Sequence, residues 1–249
     1  GAPSRGRPEV LPTGRNFYSV DTRMVPTPAA WALGWKSAQM MVERYAQDHG
    51  DYPRQMAISA WGTANMRTGG DDVAQALALM GVRPTWDDTS RRVTGFEILP
   101  ADLLDRPRVD VTFRISGFFR DAFPGLIDLL DSAARAVAAL DEAEAVNPLA
   151  AHVRDETEAL IETQGLTAED AARRAGARVF GSKPGAYGAG LQALIDEKIW
   201  RDEGDLAEAY LTWGGYAYGA GQEGEADHDG FSNRLKKVQA VVQNQDNRE

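Results

Sequence analysis

The sequence predicts an α/β protein: a doubly wound, mainly parallel sheet followed by a mostly helical, acidic second half. Three observations carry this. The run Met56-Ala57-Ile58-Ser59-Ala60-Trp61 is apolar with little polar alternation, as suits a strand covered on both faces. From there to Leu140 strand and helix patterns alternate, which is the signature of βαβ winding. Beyond Asp141 the composition shifts, with nine acids and three bases in residues 141–175 at helical spacing.

Taken in order, residues 1–28 are rich in Pro, Arg and Gly and show no helical or strand period until Asn16, which predicts an extended arm. The arm is basic, with Arg5, Arg7, Arg15 and Arg23 against Glu9 and Asp21. From Pro28 the spacing of Leu33, Ser37, Met41 and Tyr45 predicts an amphipathic helix closed by Gly50. The strand at 56–61 opens a glycine-rich loop, Gly62 to Gly70. A helix follows with Val73, Leu77 and Met80 on one face, closed by Gly81. Val82–Trp86, Gly95–Leu99 and Val109–Ser116 are further strand candidates. The last leads through a loop, Gly117–Pro124, to a helix carrying Leu126, Leu130, Ala133, Val137 and Leu140. In the second half Thr167 and Asp170 form a capping box, and Ala177–Phe180 reads as one strand. A second glycine loop, Gly181–Gly190, precedes a helix from about Leu191; Trp213–Gly219 is a third glycine cluster, and Phe231–Val242 reads as helix. The resulting organisation is an arm (1–28), a Rossmann-like α/β domain (29–145) and a mainly helical region with glycine-rich loops (146–249).

Composition narrows the chemistry. Lys+Arg 27 against Asp+Glu 37 gives a net charge of −10, which argues against a nucleic-acid partner reached by bulk positive charge. The chain has no Cys, so thiolate metal sites, disulfides and cysteine nucleophiles drop out. No apolar stretch approaches the roughly 20 residues of a membrane span, and no charged-then-apolar leader is visible, so the expected location is cytoplasmic and away from membranes.

In an open α/β sheet ligands sit outside the carboxyl ends of the strands. The three loops expected there, 62–72, 117–124 and 181–190, offer backbone N–H groups to anionic groups, or serve simply as tight turns. None is a phosphate loop: Gly181 and Gly185 are too close, with Lys183 between them, so ATP hydrolysis by this chain is not expected. No Gly-x-Gly-x-x-Gly follows the first strand. His49, His152 and His228 lack metal-ligand spacing, and Asp227-His228-Asp229 places adjacent residues that seldom converge on one ion. Trp61, Tyr187, Trp213, Tyr216 and Tyr218 stand in or beside the glycine clusters, which suits a flat ligand, with core packing the alternative for Trp61. Arg15, Arg67, Arg114 and Arg120 occupy loop or strand-end positions from which a guanidinium can fork onto carboxylates.

Several long segments, in order, resemble one family. Leu11-Pro12-Thr13-Gly14-Arg15-Asn16-Phe17-Tyr18-Ser19, Trp61-Gly62-Thr63-Ala64-Asn65-Met66-Arg67-Thr68-Gly69-Gly70-Asp71, Met80-Gly81-Val82-Arg83-Pro84, Arg106-Pro107-Arg108-Val109-Asp110-Val111, Ser116-Gly117-Phe118-Phe119-Arg120-Asp121 and Val179-Phe180-Gly181-Ser182 resemble the large subunit of the cobaltochelatase and magnesium chelatase family. The resemblance runs over essentially the whole chain. Arg15-Asn16-Phe17-Tyr18-Ser19-Val20-Asp21, where the magnesium branch usually has Lys after the Gly, and Pro184-Gly185-Ala186-Tyr187-Gly188-Ala189-Gly190 look like the cobalt branch. Family members are far longer, so the chain is expected to be an excised portion of a large subunit, inactive alone.

The resemblance implies a nitrogen–metal ligase reaction, insertion of Co²⁺ into hydrogenobyrinic acid a,c-diamide in aerobic cobalamin biosynthesis. ATP and Mg²⁺ would be held by an AAA+ ATPase partner and its integrin-domain companion. It implies Asp71 and Asp121 as base or metal guide, Arg15, Arg67 and Arg120 as carboxylate anchors, and polar contacts from Thr13, Asn16, Asn65 and Ser182. Trp61, Tyr187 and Trp213 would stack on the ring, and Gly185 would let the second loop approach it. A protein metal site is not assigned. The competing readings are a magnesium chelatase acting on protoporphyrin IX, a non-catalytic docking domain for the ATPase partners, and a generic α/β sugar-nucleotide transferase.

Overall fold

The computed structural model describes residues 20–244. The expected arm lies mostly outside them; its described end, Thr22–Met24, is a short 3-10 turn. Helix α1 (Pro28–His49) starts where Thr27 accepts the Ala30 N–H at 3.1 Å and Pro28 fills the first turn. It ends at Gly50, whose φ of 82° is the left-handed turn that glycine adopts at least cost. Then follow β1 (Gln55–Ala60), α2 (Gly62–Thr68), α3 (Asp71–Met80), β2 (Val82–Trp86), β3 (Val93–Ile98), α4 (Ala101–Leu104), β4 (Asp110–Ile115), α5 (Gly117–Ala122) and α6 (Pro124–Ala138). The remainder comprises α7 (Pro148–Gln164), α8 (Ala168–Ala175), β5 (Val179–Gly181), α9 (Gln192–Asp196), α10 (Glu203–Gly214), β6 (Tyr216–Gly219), β7 (Gln222–Ala226), α11 (His228–Leu235) and β8 (Ala240–Val242).

Six strands form one sheet in the order β7-β6-β5-β4-β1-β8. β1 pairs in parallel with β4 and β8, and β4 with β5; β6 and β7 add antiparallel at one edge. Side chains alternate across a strand, so the register sorts the two faces. Met56, Ile58 and Ala60 stand beside Val111, Phe113 and Ile115, and this face buries against Val73 and Leu77 of α3 and Leu126, Leu130 and Val137 of α6. The opposite face carries Gln55 and Ser59 beside Asp110 and Arg114, with a smaller cluster in which Phe180 stacks on Phe231 at 5.1 Å. Helices therefore cover both faces, as doubly wound sheets require.

Four details differ from the expectation. β2 and β3 are a separate antiparallel pair, not members of the main sheet. Among the described residues, the stretch from 146 onward holds five helices yet also supplies β5, β6, β7 and β8. Phe231–Val242 is not one helix: α11 stops at Leu235, and Ala240–Val242 pairs with β1 because its β-branched residues complete that edge. Finally, 62–70 and 117–124 are largely helical, as α2 and α5. Their glycines serve contact between backbones: a Cβ at Gly62 would meet the Phe119 nitrogen at 2.7 Å, and one at Gly117 the Ala186 oxygen at 2.5 Å.

At the amino ends of β1 and β4, opposite the carboxyl ends, a cleft of about 480 Å³ is lined by Asp110, His152, Glu156, Arg174, Asp227 and Arg234 among others. Five of its charged groups, Asp110, Glu156, Arg174, Asp227 and Arg234, are in ion pairs. Arg178 grips Asp110 at 2.5 and 3.1 Å, Arg234 holds Glu156 at 2.9 Å, and Arg174 holds Asp227 at 2.9 Å. Burial pulls the Arg234 guanidinium down to about 10, with Arg178 adding repulsion.

Candidate functional site

The carboxyl ends of β1 and β4 are joined through one serine. The Ser116 hydroxyl, at the end of β4, accepts the Gly62 N–H at 3.2 Å and the Phe119 N–H at 3.1 Å, while the Ser116 N–H donates to the Ala60 carbonyl at 3.0 Å. This ties α2 to α5 and consumes amides that the sequence suggested as an anion cradle. The consequence is a rim of rings. Trp61, Phe118 and Tyr187 are 38%, 42% and 59% exposed, although each is a large apolar side chain. They are close neighbours: Phe118 lies against Gly62, next to Trp61, and Tyr187 lies against Gly117, next to Phe118.

Behind the rim Arg120 organises the loop after β5. Its Nη1 donates to Lys183 O at 2.9 Å, Ala186 O at 3.1 Å, and the Ser182 carbonyl and hydroxyl, both at 3.3 Å. Its Nε and Nη2 fork onto Asp121 at 2.7 and 3.1 Å, and the Tyr187 hydroxyl donates to the same carboxylate at 2.6 Å. The guanidinium also lies 5.5 Å from the Tyr187 ring centroid. Ser182 donates to Ala186 O at 2.7 Å, and the Tyr218 hydroxyl donates to Ser182 O at 2.5 Å. The Arg120 hydrogen bond holds the Asp121 carboxyl below the usual carboxylate range, with Tyr187 adding to it, and the hydrogen bond to Asp121 raises the Tyr187 phenol. A carboxylate with both oxygens occupied and a lowered pKa is a poor proton acceptor, so the geometry suits Asp121 to holding Arg120 and Tyr187.

The other sequence-derived residues fall in different places. Ser182, Gly185, Tyr187 and Trp213 join Arg120 and Asp121 around the loop; the Trp213 indole N–H donates to Gly188 O at 3.2 Å. Asn65 does not reach the rim: it is fully buried and donates to Trp61 O and to Asp72 at 2.9 and 2.8 Å. Arg67 is exposed in the last turn of α2. Asp71 begins α3, beyond the seven-residue α2, so roughly 10 Å of helix separates it from Trp61. Thr13, Arg15 and Asn16 lie outside the described residues. Asp227 caps α11 through the Gly230 N–H, and among the described residues no three His, Asp or Glu side chains form a metal cluster. Nor is any described helix long and apolar enough to cross a membrane. The sequence reading passed over Ser116 and Phe118 as site residues, and counted Tyr218 only among the rings beside the glycine clusters. Ser116 carried a signal, since Ser ahead of Gly-Phe-Phe-Arg is an N-cap pattern.

Gly185 has φ +79°, and a Cβ there meets nothing within 4 Å. Gly185→Val is therefore expected to cost about 1–2 kcal/mol through backbone strain alone, without a steric clash. If the loop closes on a ring, tetrapyrrole affinity should fall by more than this loss of stability. Unaltered affinity in a variant with a lowered melting temperature would make the loop a structural turn.

A family model described as CobN/Magnesium Chelatase matches residues 1–249. The chain belongs to the CobN/magnesium chelatase family. It is 67% identical over 249 residues to the aerobic cobaltochelatase subunit CobN of Sinorhizobium sp, covering 100% of this chain and 19% of that protein. It is 36% identical over 259 aligned positions to the chloroplastic magnesium-chelatase protein ChlH of Oryza sativa subsp. japonica, covering 100% and 18% respectively. The catalytic subunit of cobaltochelatase from Mycobacterium tuberculosis superimposes with a TM-score of 0.88 at 49% identity, over 98% of this chain and 20% of that one. The chain thus spans about a fifth of the length of the CobN/magnesium chelatase relatives it matches.

Proposed function

We propose that this chain is part of the tetrapyrrole-binding large subunit of a cobaltochelatase, which inserts Co²⁺ into hydrogenobyrinic acid a,c-diamide in cobalamin biosynthesis. The observation that carries the reading is the rim of Trp61, Phe118 and Tyr187 above an arginine-tethered loop at the carboxyl ends of β1, β4 and β5. Exposed flat rings at the same end of the sheet suit a flat macrocycle, and the much higher identity to the cobaltochelatase relative than to the magnesium one favours cobalt. Arg120 and Asp121 hold the loop, Ser182 and Gly185 shape it, and Tyr187 and Trp61 stack on the ring. Arg15 and Arg67 are assigned to peripheral carboxylates, with polar help from Thr13 and Asn16. Removal of ring protons needs a base; Asp121, held by Arg120, is given a positioning role, and Asp71 is kept as the acid to test for the base by Asp71→Asn.

ATP and Mg²⁺ belong, in this reading, to an AAA+ partner and its integrin-domain companion. No heat of Mg-ATP binding is expected from this chain in calorimetry, and micromolar affinity would contradict the assignment. Reconstituted with those partners, the large subunit is expected to metallate the corrin precursor with cobalt. Insertion of magnesium into protoporphyrin IX instead would move the protein to the other branch.

A further inference from the structure

Arg114, on the polar face of β4, is 3% exposed, yet among the described residues no carboxylate is paired with it. Comparably buried arginines have a carboxylate or several acceptors, although the Nε of Arg234, like that of Arg114, has no acceptor of its own. Arg108 holds Glu142, Arg178 holds Asp110 and Arg234 holds Glu156, while Arg106 spreads its donors over Gln39 and the carbonyls of Ala78, Leu79 and Pro107. Among the described residues Arg114 makes a single hydrogen bond, from Nη2 to Gly188 O at 3.4 Å, and its Nε is buried without an acceptor; its guanidinium lies 5.3 Å from the Tyr210 ring centroid. Burial lowers its pKa without a counter-ion to offset the cost. The Trp213 indole N–H donates to the same Gly188 oxygen at 3.2 Å, so two donors share one acceptor, both at the long end of the usual range.

We infer that Arg114 and Trp213 form a receptor for a carboxylate of the bound ligand, with the Gly188 carbonyl occupying it in the ligand-free protein. The inference rests on the tetrapyrrole reading above, and it names which peripheral group the site recognises and how. A carboxylate brings two oxygens and a charge: one oxygen can take the guanidinium, the other the indole, and the buried cation is neutralised. An ester or amide at the same ring position supplies no charge and leaves Arg114 uncompensated, which makes the pair a specificity device. Gly188 lies in a span that can yield. Gly185, Gly188 and Gly190 all have positive φ, and the first two face open space.

The test compares hydrogenobyrinic acid a,c-diamide with its methyl ester, followed by the ring's visible absorption, on the intact large subunit. The parent protein is expected to bind the acid about 10- to 100-fold more tightly than the ester, the range of a hydrogen bond to a charged group. Arg114→Gln should abolish that preference while leaving ester affinity in place, and Arg114→Lys should keep part of it. Trp213→Phe retains a ring and loses only the donor, and should reduce the preference severalfold; it decides the matter if Arg114→Gln does not fold. Equal losses for acid and ester in these variants, or an unchanged preference, would overturn the receptor while leaving tetrapyrrole binding intact. Failure of the parent subunit to bind either ring would overturn the tetrapyrrole reading and this inference with it.

Discussion

Asp110→Asn is expected to destabilise the protein by about 3–5 kcal/mol, the range for breaking a buried ion pair by removing one partner. Asp110 is fully buried at the start of β4, gripped by Arg178 through both oxygens and by His152 at 2.8 Å. Burial opposes its ionisation, but the Arg178 charge and the His152 and Arg178 hydrogen bonds outweigh it and hold the carboxyl well below the usual range. The sign follows from linkage. A carboxyl with a depressed folded pKa stabilises fully above the pH where a free aspartate titrates, about 4, and loses that contribution as pH falls below it. The gap between the parent and Asp110→Asn in urea melts should therefore be widest near neutrality and shrink in acid. The double variant Asp110→Asn, Arg178→Met should recover much of the loss, because it leaves no buried charge unpaired. A pH-independent gap would assign the effect to packing.

Arg120→Ala is expected to lower tetrapyrrole affinity about 10- to 100-fold, since six donor contacts from one side chain, several of them charge-assisted, fix the loop that carries Tyr187. Stability should fall too. Arg120→Lys keeps the charge but cannot reproduce the fork onto Asp121 together with the fan onto Ser182, Lys183 and Ala186, so only partial recovery is expected. Isothermal titration beside a thermal melt of each variant separates the two effects, and normal affinity in a folded Arg120→Ala would remove the loop from the site.

Much of this was legible in the sequence, for identifiable reasons. Gly50 and Gly81 end α1 and α3 with φ of 82° and 78°, and Thr167 caps α8, because capping is local chemistry. The apolar run at 56–60 announced the inner strand β1. Gly62 and Gly117 were misleading, since a glycine needed for close backbone contact reads the same as one needed for a turn. Ala240–Val242 carries too few residues to signal a strand, and only its pairing with β1 makes it one. At the site, Arg120, Asp121 and Tyr187 stood out one by one, but their union is tertiary: residues 66 apart in sequence meet at 2.6 Å. Asn65 had the right chemistry for a ligand and the wrong direction, because Asp72 in the next helix claims it.

Hydrogen exchange of the intact large subunit, with and without hydrogenobyrinic acid a,c-diamide, tests the central claim most directly. The account predicts that the ligand slows exchange across residues 182–190 and 117–122, the loop and helix that carry Tyr187 and Phe118. Saturable binding with protection confined elsewhere, such as the cleft around His152 and Arg234, would contradict it.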